Sequence, residues 1–145
     1  MAQTATNKGK FLFATGAIVP GTTDLRMGLL KTLAAHTNVP AVNFVSDMES
    51  HADFAELTAS GYARVALPGE AATEFDAASN FAAISMTAVV FAAISTGETI
   101  VGAFIYKEGA SDAAREVIAI YDVSPTIPTN GSTVTINAGD FARIV

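Results

Sequence analysis

Apolar and polar positions form a ladder in the second half of the chain. Residues 84–91, 99–106, 117–121 and 133–136 are rich in apolar, β-branched or aromatic side chains, and Gly, Pro, Asp, Ser or Asn bounds each run. Short runs of this kind with turn residues between them predict antiparallel strands. Residues 141–145 read as a last strand. Ser95-Thr96-Gly97-Glu98 reads as a hairpin turn between two of the strands. Residues 124–132, with Pro125, Pro128 and Asn130-Gly131, read as a wide turn.

The first half is less regular. Leu25, Met27 and Leu29 alternate with Arg26 and Gly28, which predicts a half-buried strand. Gly61 to Leu67 alternates again, with Ala63, Val65 and Leu67 on one face and Pro68-Gly69 as the stop. Residues 31–45 have no clean period and read as a loop with a helical turn near 32–35. The acidic stretch 46–57 also reads as a loop with a helical turn. Phe11-Leu12-Phe13 is a compact apolar cluster, helix or strand, and Pro20-Gly21 marks a turn. Residues 1–10 are small and polar and predict a flexible N-terminal arm, followed by one β-rich domain over 11–145. The expected class is mainly β: an antiparallel β-sandwich or barrel, jelly-roll-like, with short helical turns. The alanines of 81–93 would suit a helix, but the Val, Ile and Phe content there favours strand.

Composition narrows the function. Charged residues make up 15% of the chain, below the ~25% of ordinary soluble domains, so surface hidden in an assembly is expected; a monomer with a large core is the alternative. A net charge of −6 and scattered basic residues, of which only Lys8 and Lys10 lie close together, argue against nucleic acid. There is no cysteine, so disulfides, zinc–thiolate sites and thiol nucleophiles are excluded. Residues 1–10 lack the apolar centre of a secretory leader. The longest mostly apolar run, 81–94, falls short of the ~20 residues that cross a bilayer, so no membrane partner is expected.

Candidate chemistry is sparse. Asp47, Glu49, His51 and Asp53 at every second position would share one face of an extended chain and offer ligands to a divalent cation. Without the glycine punctuation of a calcium loop, a solvated acidic loop is the plainer reading. His36 and His51 lie in no nucleophile motif. Glu74 and Asp76 form a carboxylate pair around Phe75 in a polar connector, and phosphate-cradling glycine spacings are absent. Phe104, Tyr106 and Tyr121 would suit either a sugar-stacking platform or a core. Asn130-Gly131-Ser132 matches a glycosylation sequon but reads as turn chemistry.

Several segments resemble one family. Residues 24–30, Gly61-Tyr62-Ala63-Arg64 through Leu67, and residues 103–109 with 117–122 carry the likeness, together with Asn130-Gly131, 133–136 and 141–145. In order and strand pattern they resemble small virion structural proteins of tailed bacteriophages, head decoration (cement) or minor head and tail proteins. Asn137 stands where that family often has tryptophan, and residues 31–45 match it poorly. The resemblance implies a non-enzymatic virion protein, with no catalytic, metal or cofactor residues. It would be a homotrimer assembled in the host cytoplasm, on the outer surface of the phage head, binding the major capsid protein lattice and cementing its subunits. Lys8, Lys10, Phe11 and Phe13, with Phe141, Arg143 and Val145, are the candidate partner interface. The alternative is a head- or tail-associated fibre module that binds host surface or glycan.

Overall fold

Antiparallel pairing organises the chain. The structure, a computed structural model, describes residues 3–34, 36–68, 71–76, 81–137 and 139–144, with 3, 36, 71–76, 81–85 and 139–144 described by backbone alone. In chain order the elements are β1 (Gln3–Ala5), α1 (Asn7–Ala14), β2 (Leu25–Leu33), a 3-10 helix (His36–Ala41), α2 (Val45–Ser50), β3 (Phe54–Glu56) and β4 (Val65–Ala66). There follow β5 (Ala71–Asp76), β6 (Phe81–Met86), β7 (Val89–Phe91), β8 (Thr99–Lys107), β9 (Glu116–Pro128), β10 (Val134–Ile136) and β11 (Gly139–Ile144). The main sheet runs β1-β9-β8-β2-β3, with β4 also pairing β2; β10-β7 and β11-β6-β5 form two smaller sheets.

The main sheet is buried on both faces, which is why β2, β8 and β9 are almost continuously apolar. Leu25, Met27, Leu29, Ala103, Ile105, Ala119 and Tyr121 face one core, shared with Leu12, Met86, Phe91, Ile94, Val134 and Ile136. Leu30, Phe104, Tyr106, Val117 and Ile120 face the other, closed by Val39 of the 3-10 helix, Val42 just after it, Val45 and Met48 of α2, and Phe54 of β3. The class is therefore mainly β, antiparallel and sandwich-like. The sheets do not close into a barrel.

Several expectations are corrected. Within the expected arm of residues 1–10, the described residues 3–10 are not free: Gln3, Thr4 and Ala5 pair with Tyr121, Ile120 and Ala119, and a helix over Asn7–Ala14 follows. Fully buried Thr6 caps that helix, its hydroxyl accepting from the Gly9 amide at 2.8 Å and donating to the Val117 carbonyl. Gly9 permits the docking, since a Cβ there would lie 2.3 Å from the Ile118 carbonyl oxygen. Residues 31–33 belong to β2, and the acidic stretch holds α2 and β3 rather than a loop. Residues 84–91 divide, because β6 pairs with β5 and β11 while β7 pairs with β10. The turn at 95–98 is a corner between sheets, not a hairpin. β9 runs on through Pro125 to Pro128, where a wide turn was expected.

Candidate functional site

The densest polar constellation gathers at the edge of β2. β3 pairs with Leu30, Thr32 and Leu33, and β4 with Arg26 and Met27, so the ladder is interrupted between them. Tyr62 fills the interruption: its hydroxyl accepts from the Leu29 amide at 2.9 Å and donates to Glu56. Gly61 turns the chain to allow this, with φ of +85° and no room for a Cβ against the Ala93 carbonyl. Gly28 is equally necessary, because a Cβ there would lie 2.3 Å from the Phe104 ring.

Arg64 is the hub. Its guanidinium donates to both oxygens of Glu56, to Glu49 at 2.9 Å and to Asp112, and lies over the Phe104 and Tyr106 rings at 5.7 and 5.5 Å. Arg115 continues the network to Asp112 at 2.8 Å and Glu108 at 2.6 Å. Arg26 reaches Glu108 at 2.8 Å. The clasp thus ties α2, β3, the 108–115 loop and β2 together.

Its electrostatics favour fixed charge. Burial opposes the Arg64 charge, but hydrogen bonds to Glu56 and Asp112 outweigh it and raise the pKa further. Burial would raise Asp112 and Glu108, yet hydrogen bonds from Arg64 and Arg115 hold both below the usual carboxylate range. Burial, then the charge and hydrogen bond of Glu56, push the Tyr62 hydroxyl far up, so it stays protonated. Glu49 moves upward through burial and the neighbouring Asp112 charge. Arg64, Asp112, Glu108 and Tyr62 are thus each held in one protonation state near neutrality and serve to hold structure.

A second clasp centres on Glu98. Its carboxylate accepts from the Lys31 ammonium at 2.6 Å, from the Thr58 hydroxyl and amide at 2.8 Å each, and from the Ala59 amide at 2.7 Å. Burial works the other way, but these donors carry its pKa down to about 2. The backbone of Glu98 is tied to Thr129, whose amide and hydroxyl donate to its carbonyl at 2.9 and 3.0 Å.

Comparison with protein-family models, with curated proteins and with solved structures finds no match.

The residues singled out in the sequence are only partly brought together. Lys8, Lys10, Phe11 and Phe13 share α1, but Phe13 is half-buried against the core. Phe11 is 59% exposed. The Lys8 ammonium pairs with Glu116 at 2.9 Å and stands near the Phe11 and Phe44 rings, 5.8 and 5.3 Å from their centroids. Phe141 and Arg143 fall on β11, and Val145 lies outside the described residues.

The acidic quartet does not converge. Helix geometry over 45–50 replaces the extended chain on which its shared face depended. Asp47 accepts from the Phe44 amide at 3.0 Å, Glu49 turns to Arg64, and Asp53 bonds the Asn38 side chain and lies 3.6 Å from His51. Among the described residues no group of three or more His, Cys, Asp or Glu is placed to hold a metal. Phe104, Tyr106 and Tyr121 are buried, which removes the stacking platform. The Asn130 side chain accepts from the Ser132 amide at 3.0 Å, a turn-forming bond. Sequence reasoning missed the clasp because Arg64 looked like an outward position on a strand; the only signal was that Gly61-Tyr62-Ala63-Arg64 alternates small and large side chains.

Proposed function

We propose that this chain is a non-enzymatic structural subunit of a tailed-phage particle, a decoration protein that binds the outer head lattice as a homotrimer and ties neighbouring capsid proteins together. One observation carries the reading: among the described residues, the ionisable side chains that cluster are locked to one another. Around Arg64 and Glu98 they bind loops to sheet, and both leave a stiff body of low charge content. Such a body suits repeated shallow contacts on a lattice rather than turnover in a cleft. The resemblance in order and strand pattern to small head or tail proteins of tailed phages supplies the setting. The adhesion reading loses its support with the burial of Phe104, Tyr106 and Tyr121.

Imaging purified particles that carry this chain tests the proposal. Density for the chain on the outside of the head, repeated with lattice symmetry, is expected, as is earlier rupture of heads lacking it. Density confined to the tail, or absence of the chain from purified particles, would refute the reading.

A further inference from the structure

We propose that Asn130 is a site of spontaneous deamidation, and that the hydrogen bond from the Gly131 amide to the Ile94 carbonyl is the latch that restrains the reaction in the folded chain. The reaction needs a carboxamide that the next main-chain nitrogen can reach, and glycine, having no Cβ, obstructs that approach least. Of the six asparagines, Asn7, Asn38, Asn43, Asn80, Asn130 and Asn137, Asn130 alone precedes a glycine. Both Asn130 and Gly131 are exposed, and the space beside the Gly131 Cα is open, so water and hydroxide reach them.

The turn activates one reacting group and restrains the other. The Ser132 amide donates to Asn130 Oδ1 at 3.0 Å, which polarises the side-chain carbonyl and would steady the charge that gathers on that oxygen when Cγ is attacked. The attacking nitrogen is held elsewhere. The Gly131 amide donates to the Ile94 carbonyl at 2.8 Å, while the Ile94 amide donates to the Ser132 carbonyl at 3.3 Å. Thr129, tied three times to Glu98, fixes the same corner. With the latch open, hydroxide takes the Gly131 amide proton and the nitrogen bonds to Asn130 Cγ. The Cγ–Nδ2 bond breaks, and Nδ2 leaves as ammonia after taking a proton from water. Water then opens the cyclic imide. Cleavage at Cγ leaves an aspartate at position 130; cleavage at the main-chain carbonyl leaves isoaspartate, whose main chain is longer by one methylene. Either product adds a negative charge to a chain already at −6. The longer isoaspartyl link cannot keep residues 129, 131 and 132 all in register with 98 and 94, so it loosens the corner that the Glu98 clasp fastens.

Incubating the full chain at mildly alkaline pH, folded in buffer and unfolded in urea, tests this. Peptide mapping reads the replacement of NH2 by OH at each asparagine, and hydrogen exchange reads the Gly131 amide. In urea Asn130 should be modified before any other asparagine. In the folded chain its rate should fall about tenfold or more, the factor given by a local opening that costs about 1.4 kcal/mol. Deamidation needs the opening that also exposes the Gly131 amide, so its slowing should be at least as large as the protection of that amide. Thr129→Val removes the hydroxyl bonds to Glu98 and should speed the folded reaction roughly fivefold, the weight of about one hydrogen bond, with an equal loss of Gly131 protection. A folded chain that deamidates as fast as the unfolded one overturns the proposal. So does first modification at another asparagine, no modification in urea, or a folded Thr129→Val protein that loses Gly131 protection without reacting faster. Should Thr129→Val misfold, the wild-type comparison decides, because a well-protected Gly131 amide beside a fast-reacting Asn130 rules out the latch.

Discussion

Replacing Gly9 with alanine sets two physical effects against each other. On helix propensity alone the change should stabilise the protein by about 1 kcal/mol, since glycine is a poor interior helix residue. The packing says the reverse. The new Cβ would lie 2.3 Å from the Ile118 carbonyl oxygen and 2.9 Å from its carbonyl carbon and Cα, where ordinary contact begins near 3.4 Å. Backbone cannot yield as a flexible side chain can, so α1 must retreat by about 1 Å, enough to forfeit a quarter to a half of each dispersion contact. The retreat also pulls on Thr6, whose hydroxyl joins the Gly9 amide to the β9 carbonyls, and on buried Leu12.

Two weakened hydrogen bonds at about 1 kcal/mol each and a partial loss of the 1.5–3 kcal/mol for burying Leu12 come to roughly 3 kcal/mol. Subtracting the propensity gain leaves a net destabilisation of about 2 kcal/mol. Urea unfolding followed by far-ultraviolet circular dichroism measures it, with Lys10→Ala, at an exposed position on the same helix, as the propensity control. A Gly9→Ala protein as stable as the wild type, or more so, would falsify the claim that this glycine is there for close approach. The same geometry means that removing residues 1–10 unfastens the fold rather than trimming an arm.

Other consequences follow from the two clasps and the core. Arg64→Ala, leaving Glu56 and Asp112 without their shared cation, should cost about 2–4 kcal/mol in urea unfolding. Arg64→Lys should recover less than half of that, because a lysine cannot hold both Glu56 oxygens while donating elsewhere. Tyr62→Phe removes the acceptor of the Leu29 amide and should cost about 1–3 kcal/mol; no loss would mean that the amide finds another partner. Glu98 has a folded pKa of about 2 against an ordinary 4.5, so its contribution is present above pH 4.5 and fades as pH falls toward 2. The urea midpoints of wild type and Glu98→Gln should therefore differ at pH 7 and converge between pH 4.5 and 2; a gap that persists at pH 2 contradicts the linkage. The Tyr121 hydroxyl is buried with no hydrogen-bond partner. Tyr121→Phe should therefore be neutral or stabilise by up to about 1 kcal/mol, and a clear loss of stability would reveal a hidden partner.

Sequence pattern anticipated the elements whose burial is set locally and missed those set at a distance. β8, β10 and the first part of β9 carry enough β-branched and aromatic residues to be read directly, and the start of β2 shows in the alternation of Leu25, Met27 and Leu29. Helix α1 was ambiguous because an eight-residue helix is marginal by itself and exists through Thr6 and Gly9 against β9. Pro125 was read as part of a wide turn over 124–132 because proline breaks a regular ladder. Pairing here is not regular: Ile100 lies opposite Ile127 while Gly102 lies opposite Asp122, so Pro125 sits in the looser stretch of β9, where no ladder bond is required of it. The Arg64 partners Glu49, Glu56 and Asp112 stand 15, 8 and 48 residues away. No local period encodes such a meeting.

The same geometry bears on what the proposed resemblance to phage virion proteins can mean. Three of the segments that carry it, 24–30, 61–67 and 103–109, converge on one structure: Arg26 pairs with Asp24 and Glu108, Tyr62 and Arg64 meet on Glu56, and Tyr106 lies beneath the Arg64 and Arg115 guanidinium groups. A pattern held by residues that lock loops to sheet is a pattern of fold. It speaks for how the chain stands up before it speaks for what the chain touches. Partner choice must instead be read from the surfaces that carry none of that pattern, such as Phe11 with its neighbouring lysines on α1. A relative that kept the clasp but lost an exposed aromatic on α1 would share this architecture and assemble differently. Grafting that relative's first helix here, with Thr6 and Gly9 retained, should therefore leave the unfolding midpoint nearly unchanged and alter association alone.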